Sequence, residues 1–163
     1  MTPSTITYRT GNDLDLDAVI ELYVASTLGQ RRPVDDRQCM ARMIAEANLV
    51  VTAWDGDLLV GIARSLTDFC YICYLADLAV RDTYQREGIG KELMRQTQAA
   101  LGPKARIILL AAPAADGYYP HNGFTHHPRA WMIGARDALV GHLAPSLPLR
   151  RSGAASYGGA VSC

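Results

Sequence analysis

Seven consecutive residues carry the clearest chemical signal in the chain: Gln85, Arg86, Glu87, Gly88, Ile89, Gly90 and Lys91. They stand between a β-rich run, residues 71–80, and an amphipathic run with Ile89, Leu93, Met94, Thr97 and Leu101 on one helical face. A turn that feeds a helix leaves the first backbone N–H groups without intrahelical acceptors, and the helix dipole favours an anion there. Glycines at 88 and 90 let that anion reach the amides, while Arg86 and Lys91 add charge from the flanks. The chemistry is that of a phosphate or pyrophosphate cradle. A P-loop needs G-x-x-x-x-G-K followed by Ser or Thr, but position 85 is Gln and Lys91 precedes Glu92. A dinucleotide fingerprint needs a third glycine at 93, which is Leu. What remains is the pattern Q/R-x-x-G-x-G/A.

Other reactive residues point less sharply. Cys70 and Cys73 spell C-x-x-C, yet residues 69–80 read as a strand, where positions three apart face opposite ways, and no second pair completes a zinc site; both are expected as core thiols. His121, His126 and His127 fit no standard ligand spacing, so no metal is expected. Arg31 and Arg32 could meet an anionic acceptor, with a solvated loop as the commoner outcome.

The elements that must position these groups follow from periodicity. Residues 6–9 read as a first strand, and Asn12 or Asp13 as the cap of a helix with Leu16, Val19, Ile20 and Tyr23 on its apolar face. A polar break at 28–36 precedes a second helix through Met40, Met43 and Ile44. Runs 48–54 and 58–66, joined by Asp55, Gly56 and Asp57, predict an antiparallel hairpin, and the third long strand follows. A helix over 88–101 ends at Gly102 and Pro103. Residues 105–110 read as a buried strand, 113–119 as a short broken helix, the neighbourhoods of Thr125 and 131–133 as small β segments, and 137–143 as a last helical turn or two. From Pro145 the chain is rich in Pro, Ser, Gly and Ala and reads as a mobile tail. The expected organisation is one domain over 1–144 followed by that tail, 145–163.

Composition narrows the classes. At 163 residues, 49% apolar and 20% charged, the chain suits one soluble globular domain. Basic and acidic residues both number 16, so no net field draws it to nucleic acid or an anionic membrane. The opening residues show no targeting pattern and no apolar run reaches spanning length, from which cytoplasmic residence is expected.

The 85–90 pattern, with Leu78, Ala79 and Val80 before it, resembles the coenzyme A signature of the GNAT acetyltransferase superfamily. The resemblance extends over roughly residues 5–134, since helix pair, hairpin, strand, signature and further strand come in that family's order. It implies an α/β (α+β) fold: a mixed, mostly antiparallel sheet flanked by helices, in which the strand carrying residues 77–80 splays from the next and the pantetheine arm inserts like an added strand. The backbone of Leu78, Ala79 and Val80 would then bond the arm, and residues 86–91 the pyrophosphate of acetyl-coenzyme A.

Downstream, Ala115, Tyr118, Tyr119, Gly123 and Phe124 resemble the family's A-x-x-F-Y-x-x-x-G-F segment, which places Tyr119 at its general-acid tyrosine. Where the family often has Asn, this chain has Ala112. A thiol pKa of roughly 8.5 against roughly 10 for tyrosine makes full proton transfer to the thiolate uphill by about 2 kcal/mol, so a hydrogen bond in the transition state is the expected role. Some relatives carry a Glu on the strand corresponding to 105–110, which here holds no carboxylate. Asp77 stands where relatives often place an acid; it reads either as a base, direct or through water, or as an Asp that orders the strand end. The implied activity is direct transfer of acetyl to a primary amine of a small molecule or peptide in a ternary complex. A catalytically silent acyl-coenzyme A binding or sensing module stands beside it, distinguished by turnover. Relatives commonly dimerise, so a homodimer is a further expectation.

Overall fold

The computed structural model describes residues 5–137. They fall into two units, one ending at His126 and one beginning at His127, and every helix and strand belongs to the first. In the second, the Arg129 amide bonds His127 Nδ1 and the Gly134 amide bonds the Asp137 carboxylate. Residues 138–143 of the expected last helix, and the tail, lie outside the described residues.

Five strands form one sheet in sequence order: β1 (Thr7–Thr10), β2 (Leu49–Asp55), β3 (Leu58–Thr67), β4 (Ile72–Val80) and β5 (Arg106–Ile108). Neighbours are antiparallel except β4 and β5, which run parallel. Helices α1 (Leu16–Val24) and α2 (Arg37–Ala45) cover one face, burying Val19, Leu22, Tyr23, Met40 and Ile44 against Val50, Leu59, Ile62 and Ala79. Helix α3 (Ile89–Ala99) covers the other, burying Ile89, Leu93 and Met94 against Val51, Val60, Ala63, Cys73 and Leu75. The 3.6-residue and 2-residue periods of the sequence meet in these two cores.

A β-bulge interrupts β4. Arg64 pairs with Asp77 and Ser65 with Leu75, which leaves Ala76 as an extra residue on β4. The extra residue changes the strand's phase: Cys73 and Leu75, before it, pack under α3, whereas Ala79, after it, packs under α1 and α2.

Local chemistry moves several expected boundaries. The α1 cap is Asp15, whose carboxylate accepts from the Asp17 amide, rather than Asn12 or Asp13. Asn12 instead donates its side-chain amide to the carbonyls of Ala47 (2.8 Å), Ala45 (3.1 Å) and Ile44 (3.4 Å), satisfying the end of α2. The polar break after α1 contains a 3-10 turn, Thr27–Arg31, capped by Ser26. Asp68 accepts from the amides of Cys70, Tyr71 and Ile72 and Phe69 turns left-handed at φ 64°, so β4 starts only at Ile72. Cys70 is therefore exposed in a turn, correcting its reading as a core thiol; Cys73 is buried. The expected buried strand over 105–110 shrinks to three residues, with Ile108 half exposed. Residues 113–119 divide into a 3-10 turn, Pro113–Ala115, and the start of α4 (Tyr118–His121), while Thr125 and 131–133 lie in no strand.

Removing the Asn12 carboxamide takes a donor from the carbonyls of Ala45 and Ala47, while that of Ile44 keeps backbone amides. Asn12→Ala is expected to lower stability by about 1 kcal/mol, whereas Asp13→Ala, at an exposed position outside the cap, stays within about 0.5 kcal/mol; urea denaturation read by circular dichroism compares the two.

Candidate active site

β4 pairs with β3 along its length to Val80, opposite Gly61, but β5 accompanies it only over Ile72, Cys73 and Tyr74. From Leu75 to Val80 the second edge of β4 has no strand partner among the described residues. An edge of this kind presents alternating N–H and C=O groups to any extended chain laid beside it. Leu78 and Val80 are half-buried and pack against the α3-side cluster, while Ala79 is buried on the opposite side, so only the backbone of all three is positioned for a guest.

The strand then runs into a fastened turn. Arg81 Nε donates to Leu59 O at 2.8 Å and its Nη2 to Glu21 at 2.9 Å; the Asp82 amide bonds Ala25 O at 3.1 Å. The Tyr84 hydroxyl donates to Asp55 at 2.8 Å. Gln85 donates to Asp82 at 2.8 Å. With its entry fixed, the chain takes two left-handed residues, Arg86 at φ 68° and Gly88 at φ 83°, on either side of Glu87. Gly88 is the N-cap of α3 and no side chain caps it. The amides of residues 86–88 have no backbone acceptor among the described residues, and those of 89–91 begin the helix, where no intrahelical acceptor exists. Glycine at 88 is required by its φ. At Gly90 the reason is space: a Cβ there would lie 3.1 Å from the Tyr118 hydroxyl and 3.7 Å from Val80. Arg86, Glu87 and Lys91 are exposed, and neither cation is ion-paired among the described residues, whereas the Ile89 side chain is in the core and only its amide faces the turn.

The tyrosine pair folds back over this region. Tyr118 and Tyr119 meet edge to face at 5.5 Å between ring centres, and Tyr119 meets Phe124 in the same manner at 5.5 Å. Tyr118 directs its hydroxyl at Gly90. Tyr119 is half-buried and its hydroxyl makes no hydrogen bond among the described residues. Burial first, and Tyr118 second, push its pKa above the ordinary tyrosine value, with Arg31 opposing them. It therefore stays a protonated donor through neutral pH, with its hydrogen uncommitted. His121, by contrast, sets Nδ1 2.7 Å from Gly117 O, and among the described residues no group of His, Cys, Asp and Glu is arranged to hold a metal.

Asp77 is fully buried and both its oxygens are engaged. Arg32 Nε donates to Oδ1 at 2.5 Å; Arg64 Nε donates to Oδ2 at 2.5 Å, and the Tyr23 hydroxyl donates to Oδ2 at 2.8 Å. Burial works against the Arg64 charge, but Asp77 outweighs it and holds the guanidinium above its ordinary pKa. Burial and the Asp77 charge likewise hold the Tyr23 hydroxyl far above the tyrosine range. The bulge is the reason for the geometry: it turns Asp77 towards α1 and α2, away from the α3 side that Leu78 and Val80 face. Both oxygens of Asp77 thus have donors, the arrangement that an Asp ordering the strand end would have. Arg32 is likewise no solvated residue but part of this cluster, with its side chain 25% exposed. Sequence reasoning passed over Tyr23 and Arg64 as members; the available signal was a charged residue inside each of two apolar strands, Arg64 in one and Asp77 in the next.

Residues 26–131 match the family described as the acetyltransferase (GNAT) domain. An uncharacterized N-acetyltransferase, ycf52-like, of Prochlorococcus marinus is 29% identical over 116 residues, which are 68% of this chain and 63% of that protein; the chain thus spans less than two thirds of the relative's length. A GNAT family acetyltransferase of Streptococcus pneumoniae superimposes with a TM-score of 0.62 at 25% identity, over 79% of this chain and 98% of that one. An aminoglycoside N-acetyltransferase solved with coenzyme A shares the fold, with a TM-score of 0.64 at 17% identity over 84% and 100% of the two chains. The bared β4 edge, the glycine turn entering α3 and the matched span agree: the chain belongs to the GNAT acetyltransferase family.

Proposed function

We propose that the protein transfers the acetyl group of acetyl-coenzyme A to a primary amine of a small molecule or peptide, by direct attack in a ternary complex. The observation that carries this reading is the free edge of β4 over residues 75–80, which leads through the fastened segment 81–85 into a turn at 86–91 whose amides have no backbone acceptor among the described residues. A pantetheine arm is a chain of amides that suits a strand edge, and its pyrophosphate suits a helix start flanked by Arg86 and Lys91. A coenzyme A complex of an aminoglycoside acetyltransferase that shares this fold supports the assignment of the co-substrate. No helix among the described residues is long and apolar enough to cross a membrane, which is compatible with the cytoplasmic residence we propose.

In this reading Leu78, Ala79 and Val80 hold the arm by backbone, Gln85 steadies the turn, and residues 86–91 hold the pyrophosphate. Tyr119 donates its free hydroxyl to the sulfur as negative charge develops there. With Asp77 enclosed, Asp55 at the far end of β2 bonded by Tyr84, and β5 contributing Arg106, Ile107 and Ile108 only, no carboxylate of the described sheet serves as base. The attacking amine therefore reacts from its neutral form and its proton leaves to water. The rising limb of kcat/KM with pH is expected to follow the acceptor's own pKa, moving when acceptors of different basicity are compared; a limb fixed between pH 5 and 7 for all of them would instead reveal a protein base.

Two variants test the assignment of residues. Gly90→Val is expected to fold and to weaken acetyl-coenzyme A binding at least tenfold in calorimetry, since a branched side chain stands between the anion and the amides; unchanged affinity would remove the pyrophosphate site. Tyr119→Phe is expected to lower kcat roughly ten- to a thousandfold, about 1.4 to 4 kcal/mol, with little change in Kd for acetyl-coenzyme A. Tyr118→Phe is the control and should remain near wild type, because that hydroxyl is directed at Gly90. The readout is release of free coenzyme A thiol with an amine acceptor, which a silent binding module would not show.

A further inference from the structure

The turn between α1 and α2 is held onto the active strand by one side chain. Arg32, the residue that ends the Thr27–Arg31 turn, places three donors at once: Nε to Asp77 Oδ1, Nη2 to Ala76 O at 2.8 Å and Nη1 to its own neighbour's carbonyl, Arg31 O, at 2.8 Å. Ala76 is the extra residue of the bulge, and its carbonyl would otherwise lack a partner in the β3 ladder. The other end of the turn is equally closed. Ser26 donates to Tyr23 O at 3.1 Å and accepts from the Leu28 amide, Leu28 is buried, and a Cβ at Gly29 would fall 2.6 Å from Tyr23 O. Arg31 is left exposed on the clamped turn with no hydrogen bond from its own side chain among the described residues.

We propose that Arg32 is a positioning residue of the acetyl-transfer site, acting through the bulge: it fixes the Thr27–Arg31 turn at a set distance from the bared edge of β4 and so shapes the wall that an acceptor amine meets. The inference rests on the acetyl-transfer reading. A planar guanidinium is the one basic group that can bridge a carboxylate and a peptide carbonyl in this arrangement; an ammonium reaches one of them. Arg64 shares Asp77 from the buried side, so the cluster keeps a counter-charge when Arg32 is replaced and the core stays intact.

The test combines hydrogen exchange with kinetics on the full chain. Arg32→Ala is expected to speed amide exchange at least tenfold in residues 27–31 while leaving α3 unchanged. With acetyl-coenzyme A saturating, and triglycine and 1,4-diaminobutane as acceptor probes, it should raise acceptor KM about tenfold or more with kcat changed less than threefold and Kd for acetyl-coenzyme A within twofold. Arg32→Lys should recover less than half of that loss, and millimolar methylguanidine should restore Arg32→Ala, since the site is partly open to solvent. A loss of kcat at constant KM, tracking the folded fraction, would make Arg32 merely structural and overturn the proposal, as would unchanged exchange in residues 27–31. Failure of the wild type to bind acetyl-coenzyme A or release thiol would overturn the acetyl-transfer reading itself, and with it any role in positioning, even if the exchange result showed the clamp to exist.

Discussion

A single buried carboxylate organises the α1 and α2 half of this fold. Asp77 has no exposed surface and would be prohibitively placed alone, since an uncompensated charge of this kind costs about 3–5 kcal/mol against a total stability of about 5–15 kcal/mol for a typical domain. Its three donors come from three separate places: Tyr23 on α1, Arg32 after the first 3-10 turn, and Arg64 on β3. Arg64 in turn reaches Met43 O on α2 at 3.2 Å. Both covering helices, the turn and the central hairpin are thereby referenced to one point on β4. Two arginines share that one acid, leaving one positive charge in excess, and the hydroxyl of Tyr23 completes the hydrogen bonding of the carboxylate.

The bulge links that cluster to the bare edge of β4. Without the bulge, residues 75 and 77 of a regular strand would share a face, and Asp77 would point with Cys73 and Leu75 under α3. With it, Asp77 and Ala79 anchor the α1 and α2 side while Leu78 and Val80 line the α3 side and leave their backbone edge bare. β5 departs after Tyr74, two residues before the bulge, so the same stretch of strand changes face and loses its neighbour. The bare edge and the anchoring carboxylate share one short stretch of strand, whose facing the bulge sets.

The glycine turn entering α3, the order of strands and helices, and the two apolar faces were legible in the sequence because each rests on local periodicity or on residues a few positions apart. Features that depend on distant partners were not. Asn12 has the residue type of an N-cap and stands just before α1, yet its carboxamide finds the orphan carbonyls of α2 more than thirty residues away. Cys70 fits a strand pattern, but Asp68 gathers three amides and delays the strand to Ile72. A period of two has no means of announcing a bulge, so the facing direction of Asp77 was open until the register was seen. Arg64 was the missed clue: a cation inside an apolar strand requires a buried acid.

The extra residue at 76 also has a consequence for how such a chain can vary in descent. Its side chain is only half-buried, and what the fold uses is its backbone, whose carbonyl accepts from Arg32. Loss of the residue would set Asp77 directly after Leu75 in a regular ladder, with Cys73 and Leu75 still facing α3 and Asp77 and Ala79 still facing α1 and α2. What would go is the carbonyl that ties the turn after α1 to β4. Identity at this position is therefore under little constraint, and presence matters through one backbone acceptor.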